Sequence, residues 1–163
     1  MKVKRGRKEV NYSGKYNSVG IKRHVYCDGN GNPLVWIFSK AAELDSLFGL
    51  QLIKKAFVLR KRLGADKAYD KEYFRKDCLN LGGIPVIEYR SSTEIRSYED
   101  IYEKNKGYCT KRWKLERLFA HSDNTNRRID RFYEKSIEAY GRLYKIFVMR
   151  HYFKLIRTRL FEF

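Results

Sequence analysis

The sequence has few cysteines, far fewer acidic than basic residues, and no long uninterrupted apolar run. Its three cysteines, Cys27, Cys78 and Cys109, are odd in number, widely spaced and without CxxC or Cys/His ligand spacing. That pattern excludes a disulfide-stapled secreted scaffold and a thiolate zinc site, and the thiols read as those of a cytosolic protein. The most apolar stretch near the C-terminus, YKIFVMRHYFKLI, is broken by Lys145, Arg150 and Lys154, far short of the ~20 apolar residues a membrane span requires. The opening MKVKRGRKEV lacks the apolar centre of a signal peptide. The chain has no repeat and no low-complexity tract longer than that basic opening.

What it has in excess is positive charge. Lys and Arg number 36 against 19 Asp and Glu, a net charge of +17, which favours a polyanionic partner and electrostatically steered encounter. Nucleic acid is the leading partner, and an anionic membrane surface is its competitor. At 163 residues and 43% hydrophobic content, the chain is long enough for one domain with a genuine core.

The apolar pattern divides the chain into mixed elements. Residues 1–20, rich in Lys, Arg, Gly, Ser and Asn, read as a basic, mobile arm that seeks DNA, leaving 21–163 as a single domain. KRHVYCDGNGNPLVWIFS contains two β-prone runs joined by turn residues, a hairpin signature. From Ser46 to Leu63 the residues Phe48, Leu52, Ala56, Leu59 and Leu63 recur at helical spacing, with Lys54, Lys55, Arg60, Lys61 and Arg62 on the polar side, which predicts an amphipathic basic helix. Asp66 follows a short strand-like approach, Asp70 is placed to cap a helix running to about Leu81, Gly82 and Gly83 stop it, and IPVIEYR reads as a buried strand. A polar connection spans Ser91 to Lys106. A helix bearing Arg112, Glu116 and Phe119 follows, and then a long helical region with a stripe at Ile129, Phe132, Tyr133, Ile137, Tyr140, Tyr144, Phe147 and Tyr152. The order hairpin, α, β, α, β, then helices alone, predicts an α/β fold with a small sheet and a helical C-terminal layer.

Four segments, in order, carry a resemblance. GIKRHVYCDGNGNPL, the stretch from Glu43 to Leu47, LGADKAYD, and RWKLERLF followed by RRIDRFYEK resemble successive segments of the catalytic domain of DDE transposases from bacterial and archaeal insertion sequences, the four/five type group. Together they cover about residues 15–155. The resemblance implies an RNase H-like fold, DNA transposition as the activity, DNA as partner, the cytoplasm of a prokaryote, at the nucleoid, as the location, and Mg²⁺ or Mn²⁺ as cofactor. Divalent metal suits an in-line displacement at a phosphodiester, where attacking and leaving oxygens both need charge stabilisation and hard cations want carboxylate ligands.

By resemblance Asp66 is the second acidic ligand and Glu116 the third. Arg112 precedes Glu116 by four residues, which on a helix places its guanidinium on the same face, able to orient the carboxylate or touch a phosphate. Arg117, Arg127, Arg128, Lys54 and Lys55 are the expected DNA contacts. Two positions depart from the family pattern: Cys109 stands where a tyrosine is usual, with Tyr108 adjacent, and Asp123 stands where a lysine is usual. The first catalytic aspartate of the family has no counterpart, since Glu9 is the only acid ahead of Asp28. The sequence therefore reads as truncated, an RNase H-like mixed sheet without its first, central strand, inactive alone unless a homodimer or a partner chain supplies that strand. A chain that binds DNA or full-length transposase without chemistry is the alternative.

Local readings stay open beside these. From the local sequence alone Asp66 reads as a cap or turn residue, and Glu116 as a surface partner for Arg112, Arg117 or Lys114. Asp28, before Gly-Asn-Gly, reads as a turn former ahead of a replacement ligand. His24, His121 and His151 read as packing or surface residues, and the aromatic stripe to Phe153 as core ahead of a base-stacking platform.

Overall fold

The computed structural model describes residues 11–13, 18–56, 60–125, 129 and 136–161. It is a mixed α/β protein with small sheets. Strands β1 (Asn11–Ser13), β2 (Ser18–Cys27) and β3 (Pro33–Lys40) form one sheet in that order, and β4 (Arg62–Ala65) and β5 (Ile84–Ile87) form a second, parallel pair with Leu63 opposite Pro85 and Ala65 opposite Ile87. Helices α1 (Asp45–Lys55), α2 (Glu72–Asn80), α3 (Glu99–Asn105), α4 (Trp113–Thr125) and α5 (Ile137–Phe161) complete the described elements, with 3₁₀ segments at Lys67–Tyr69 and Lys106–Arg112. Among the described residues no helix is long and apolar enough to cross a membrane.

The hairpin follows from its turn. Both Asp28 carboxylate oxygens accept hydrogen bonds: Oδ1 from the backbone N–H of Asn30 and of Asn32, and Oδ2 from the Asn32 side chain, each at 2.8 Å. Burial alone would raise this carboxyl, but the bonds from Asn32 and Asn30 outweigh it and hold it below the usual carboxylate range. Asp28 is thus the turn former its context predicts. Gly31 takes φ +88°, and a Cβ there would lie 3.1 Å from Lys114, so both conformation and space require glycine. Asn11–Ser13, inside the stretch read as an arm, pairs antiparallel with β2; residues 1–10 and 14–17 lie outside the described residues.

Three sequence expectations change. The basic helix does not run to Leu63: α1 ends at Lys55 with Ala56 as its cap, Arg60 takes φ +56°, and Leu63 is buried in β4. Its helical spacing was a coincidence of a strand residue facing the same core; Leu59 lies outside the described residues. Asp70 does not cap α2, which is preceded by Lys71 without a side-chain cap bond. The polar connection contains α3, whose first turn carries Glu99 and Asp100, favourably placed at a helix N-terminus.

The chain separates into two compact units. In the one formed by His24–Ile37 and Leu44–Leu118, Ile53, Leu63, Phe74, Cys78 and Ile87 make the core, with Tyr26, Leu50 and Tyr69 against it. Beside that core lies a buried ion pair. Arg75 and Asp70 side chains are each 2% exposed and meet at 2.8 Å. Arg75 also donates to the Ile87 carbonyl at 2.8 Å and stacks 3.9 Å from the Tyr89 ring centroid. Asp70 accepts the Arg90 backbone N–H and the Thr93 hydroxyl, both at 2.7 Å. His24 is buried and stacked on Phe48, with ring centroids 5.0 Å apart.

The other unit, Met1–Arg23, Phe38–Glu43 and Phe119–Phe163, buries Ile21, Ile129, Tyr140, Tyr144, Phe147 and Val148. Phe38 meets the rings of Tyr140 and Tyr144 edge-on. The stripe is core at Ile129, Tyr140, Tyr144 and Phe147 but not at Phe153, which is exposed; Phe132 and Tyr133 lie outside the described residues.

Burial would raise the Asp70 carboxyl, yet the Arg90, Arg75 and Thr93 hydrogen bonds hold it below its ordinary value. A depressed carboxylate stabilises the fold above its unfolded value of about 3.9 and loses that contribution as pH falls through the lower folded value. Unfolding followed against pH is therefore expected to show stability falling below about pH 4, with Asp70→Asn removing much of that slope and costing about 3–5 kcal/mol at neutral pH, because it leaves Arg75 buried and unpaired.

Candidate active site

Asp66 leaves the end of β4. Its backbone carbonyl accepts the Tyr69 N–H at 2.9 Å, opening the 3₁₀ segment, while its side chain makes no cap bond. The capping alternative therefore does not describe this side chain. Instead, Asp66 Oδ2 meets Arg112 Nη1 at 3.0 Å, and the other terminal nitrogen, Nη2, meets Glu116 Oε1 at 3.3 Å. Two carboxylates fifty positions apart thus converge on one guanidinium. Asp66, Arg112 and Glu116 are 55%, 44% and 65% exposed, so this cluster faces solvent where the Asp70–Arg75 pair does not.

Both arms of the cluster are positioned by packing. β4 is held by its ladder with β5, and the Tyr108 ring lies against Gly64, 3.3 Å from where a Cβ would stand. Cys109 Sγ donates to the Val86 carbonyl at 3.3 Å, tying the segment that carries Arg112 to β5. Lys114 Nζ donates to the Gly29 carbonyl at 2.6 Å, anchoring the start of α4 to the hairpin turn. Glu88 pairs with Lys67 at 2.7 Å.

A cavity of about 450 Å³ lies beside the cluster, lined by residues of β2 and of β4 together with Asp28, Asp66, Glu88, Cys109 and Arg112. β2 and β4 belong to different sheets. Of the thiols lining it, Cys27 is pushed up to about 12 by burial and by Asp28, and Cys109 is raised by burial and by Glu88. Both therefore stay protonated, and the anionic donors near the cavity are carboxylates. Among the described residues no group of three or more His, Cys, Asp or Glu is placed to hold a metal ion.

The family model of the transposase DDE domain matches residues 1–149. The chain belongs to the DDE transposase family. No curated protein and no solved structure matches it. Membership makes DNA transposition the activity to consider and DNA the substrate, in a family that generally uses divalent metal. In this transposase domain the remaining sequence-predicted positions are spread out. Arg117 lies over the Trp113 ring, 5.3 Å from its centroid, and Lys54 and Lys55 are exposed in the last turn of α1. Arg127 and Arg128 lie outside the described residues. Asp123 forms a 2.7 Å pair with Arg23, which also donates to Ser122 at 2.9 Å.

Sequence reasoning missed Lys114, Glu88 and the anchoring role of Asp70. For Lys114 and Glu88 no local signal exists, because their partners are distant in the chain. Asp70 carried a misleading one, a plausible cap position.

Exposed ion pairs contribute about 0–1 kcal/mol, so Asp66→Ala and Glu116→Ala are expected to leave the melting temperature almost unchanged. Gly31→Ala, by contrast, is expected to cost about 1–3 kcal/mol through strain at a positive φ. Calorimetry on the three variants checks the division; unfolding of Asp66→Ala would assign it a structural role.

Proposed function

We propose that the chain is the DNA-cutting part of an insertion-sequence transposase of the four/five type group, with Asp66 and Glu116 as two of the three carboxylates that hold Mg²⁺ or Mn²⁺. The observation that carries this reading is the convergence of both carboxylates on Arg112, beside a cavity that Asp66 and Arg112 line. The donors fit the metal in kind: they are hard oxygens, half or more exposed, beside thiols that burial keeps protonated. Among the described residues they are short by one ligand. When bound, such ions supply charge stabilisation at the attacking and leaving oxygens of a phosphodiester. Arg112 orients both carboxylates and offers its remaining N–H donors to a DNA phosphate. Arg117, Arg127, Arg128, Lys54 and Lys55 hold the duplex through its backbone.

The missing carboxylate is assigned to an extended segment that completes a mixed RNase H-like sheet. A cavity lined by both β2 and β4, strands in separate sheets, supports docking of that segment there. Asp28 does not serve, because its oxygens are committed to the turn. The chain acts in this reading at the nucleoid of a prokaryotic cell and is inactive alone.

From the net charge of +17, binding of a labelled duplex is expected to weaken steeply and log-linearly with salt as counterions are released; a flat titration contradicts the DNA assignment. A duplex incubated with the chain and Mg²⁺ or Mn²⁺ is expected to stay intact. Nicking that disappears in Asp66→Ala and Glu116→Ala would confirm the ligands while refuting the incomplete site. Nicking unaffected by either substitution would refute both.

A further inference from the structure

The C-terminal half of α5 carries a second feature, independent of the DNA-cutting reading. Ile146, Met149, Phe153, Ile156 and Leu160 are 51–66% exposed, and they follow one another at intervals of three, four, three and four residues. That alternation is the a/d spacing of a coiled-coil seam, two apolar positions in seven, and it is narrower than the apolar face by which a helix lies on a domain core or a membrane. Three of the five lie beyond residue 149, where the match to the transposase domain ends. Over these fifteen residues the seam runs about 22 Å along the helix.

The positions flanking the seam decide what can cover it. With Ile146 taken as position a, the e positions are Arg150 and Arg157, and the g positions are Lys145, Tyr152 and Arg159. Between residues 145 and 160 there is no Asp or Glu. A second copy of this helix, parallel or antiparallel, would bring lysine or arginine against arginine along its edges, relieved only at Tyr152, and like charges at e and g oppose pairing. DNA would satisfy the arginines but leave Ile146, Phe153, Ile156 and Leu160 in water. An acidic amphipathic helix satisfies both sets at once.

We infer that the exposed seam of α5 is a docking surface for an acidic helix of a different protein, with aliphatic side chains at a and d and glutamates at e and g. The test uses the full chain and a synthetic three-heptad peptide, fluorescein-labelled, with Leu at a and d and Glu at e and g; its own glutamates keep it from self-pairing. A control peptide keeps the glutamates and carries Ser at a and d. Fluorescence anisotropy is expected to show the Leu peptide binding about tenfold or more tightly than the control, with loss of that margin in F153S/I156S and weakening at high salt. Both substituted side chains are exposed, and an unchanged thermal melt verifies that the variant folds. Equal binding of the two peptides, or binding unchanged in the variant, overturns the inference. It is also overturned if sedimentation shows a dimer of the chain that F153S/I156S abolishes, or if anionic phosphatidylglycerol vesicles, but not the Leu peptide, bind in a manner that depends on those two residues.

Discussion

The buried contact between Asp70 and Arg75 is the constraint on which the rest of the candidate site depends. Two opposite charges, each 2% exposed, are expensive to desolvate, and further hydrogen bonds offset that cost here, although Arg75 Nη1 is buried without a hydrogen-bond partner. Asp70 spends its second oxygen on the chain after β5, through Arg90 and Thr93, while Arg75 reaches back to the Ile87 carbonyl. Arg90 in turn donates to the Lys67 carbonyl at 2.8 Å. The segment 66–70 is thereby fixed at both ends, by the β4 ladder up to Ala65 and by Asp70 itself. Asp66 has little freedom in where it emerges, although its own side chain is exposed.

A second anchor sets the other half. The Asp28 turn, closed by its own carboxylate, receives Lys114 on the Gly29 carbonyl, and Cys109 ties the preceding 3₁₀ segment to Val86. Arg112 is carried between these ties, and Glu116 follows two residues after the second. The protein thus separates two kinds of ion pair. The buried one is costly to break and holds the architecture; the exposed one, Asp66–Arg112–Glu116, is worth little in stability and is free to exchange partners.

Element order was largely legible in the residues. The Asp-Gly-Asn-Gly turn, the β-branched and aromatic runs beside it, and the Gly-Gly stop after α2 each act through local backbone preference, which a single sequence displays. The end of α1 was not legible, because Leu63 continues a helical spacing while belonging to a strand, and only the core it joins distinguishes the two. Asp66 and Glu116 could be named from a resemblance, but their meeting on Arg112 depends on contacts between β4 and the 3₁₀ segment that no local pattern encodes. Asp70 was misread for a related reason: a carboxylate just ahead of a helix is a common cap, and its true partners lie up to 23 positions away. The partner of Asp123, Arg23, likewise lies a hundred positions earlier.

In the proposed site the fold brings the Asp66 and Glu116 carboxylates to one point fit for a divalent cation. Anomalous scattering from crystals of the chain grown with Mn²⁺ tests it most directly. The predicted result is a manganese peak within ligand distance of oxygens from both side chains, with Arg112 displaced from at least one of them. Manganese bound elsewhere, with Asp66 and Glu116 still on the Arg112 guanidinium or far apart, would contradict it.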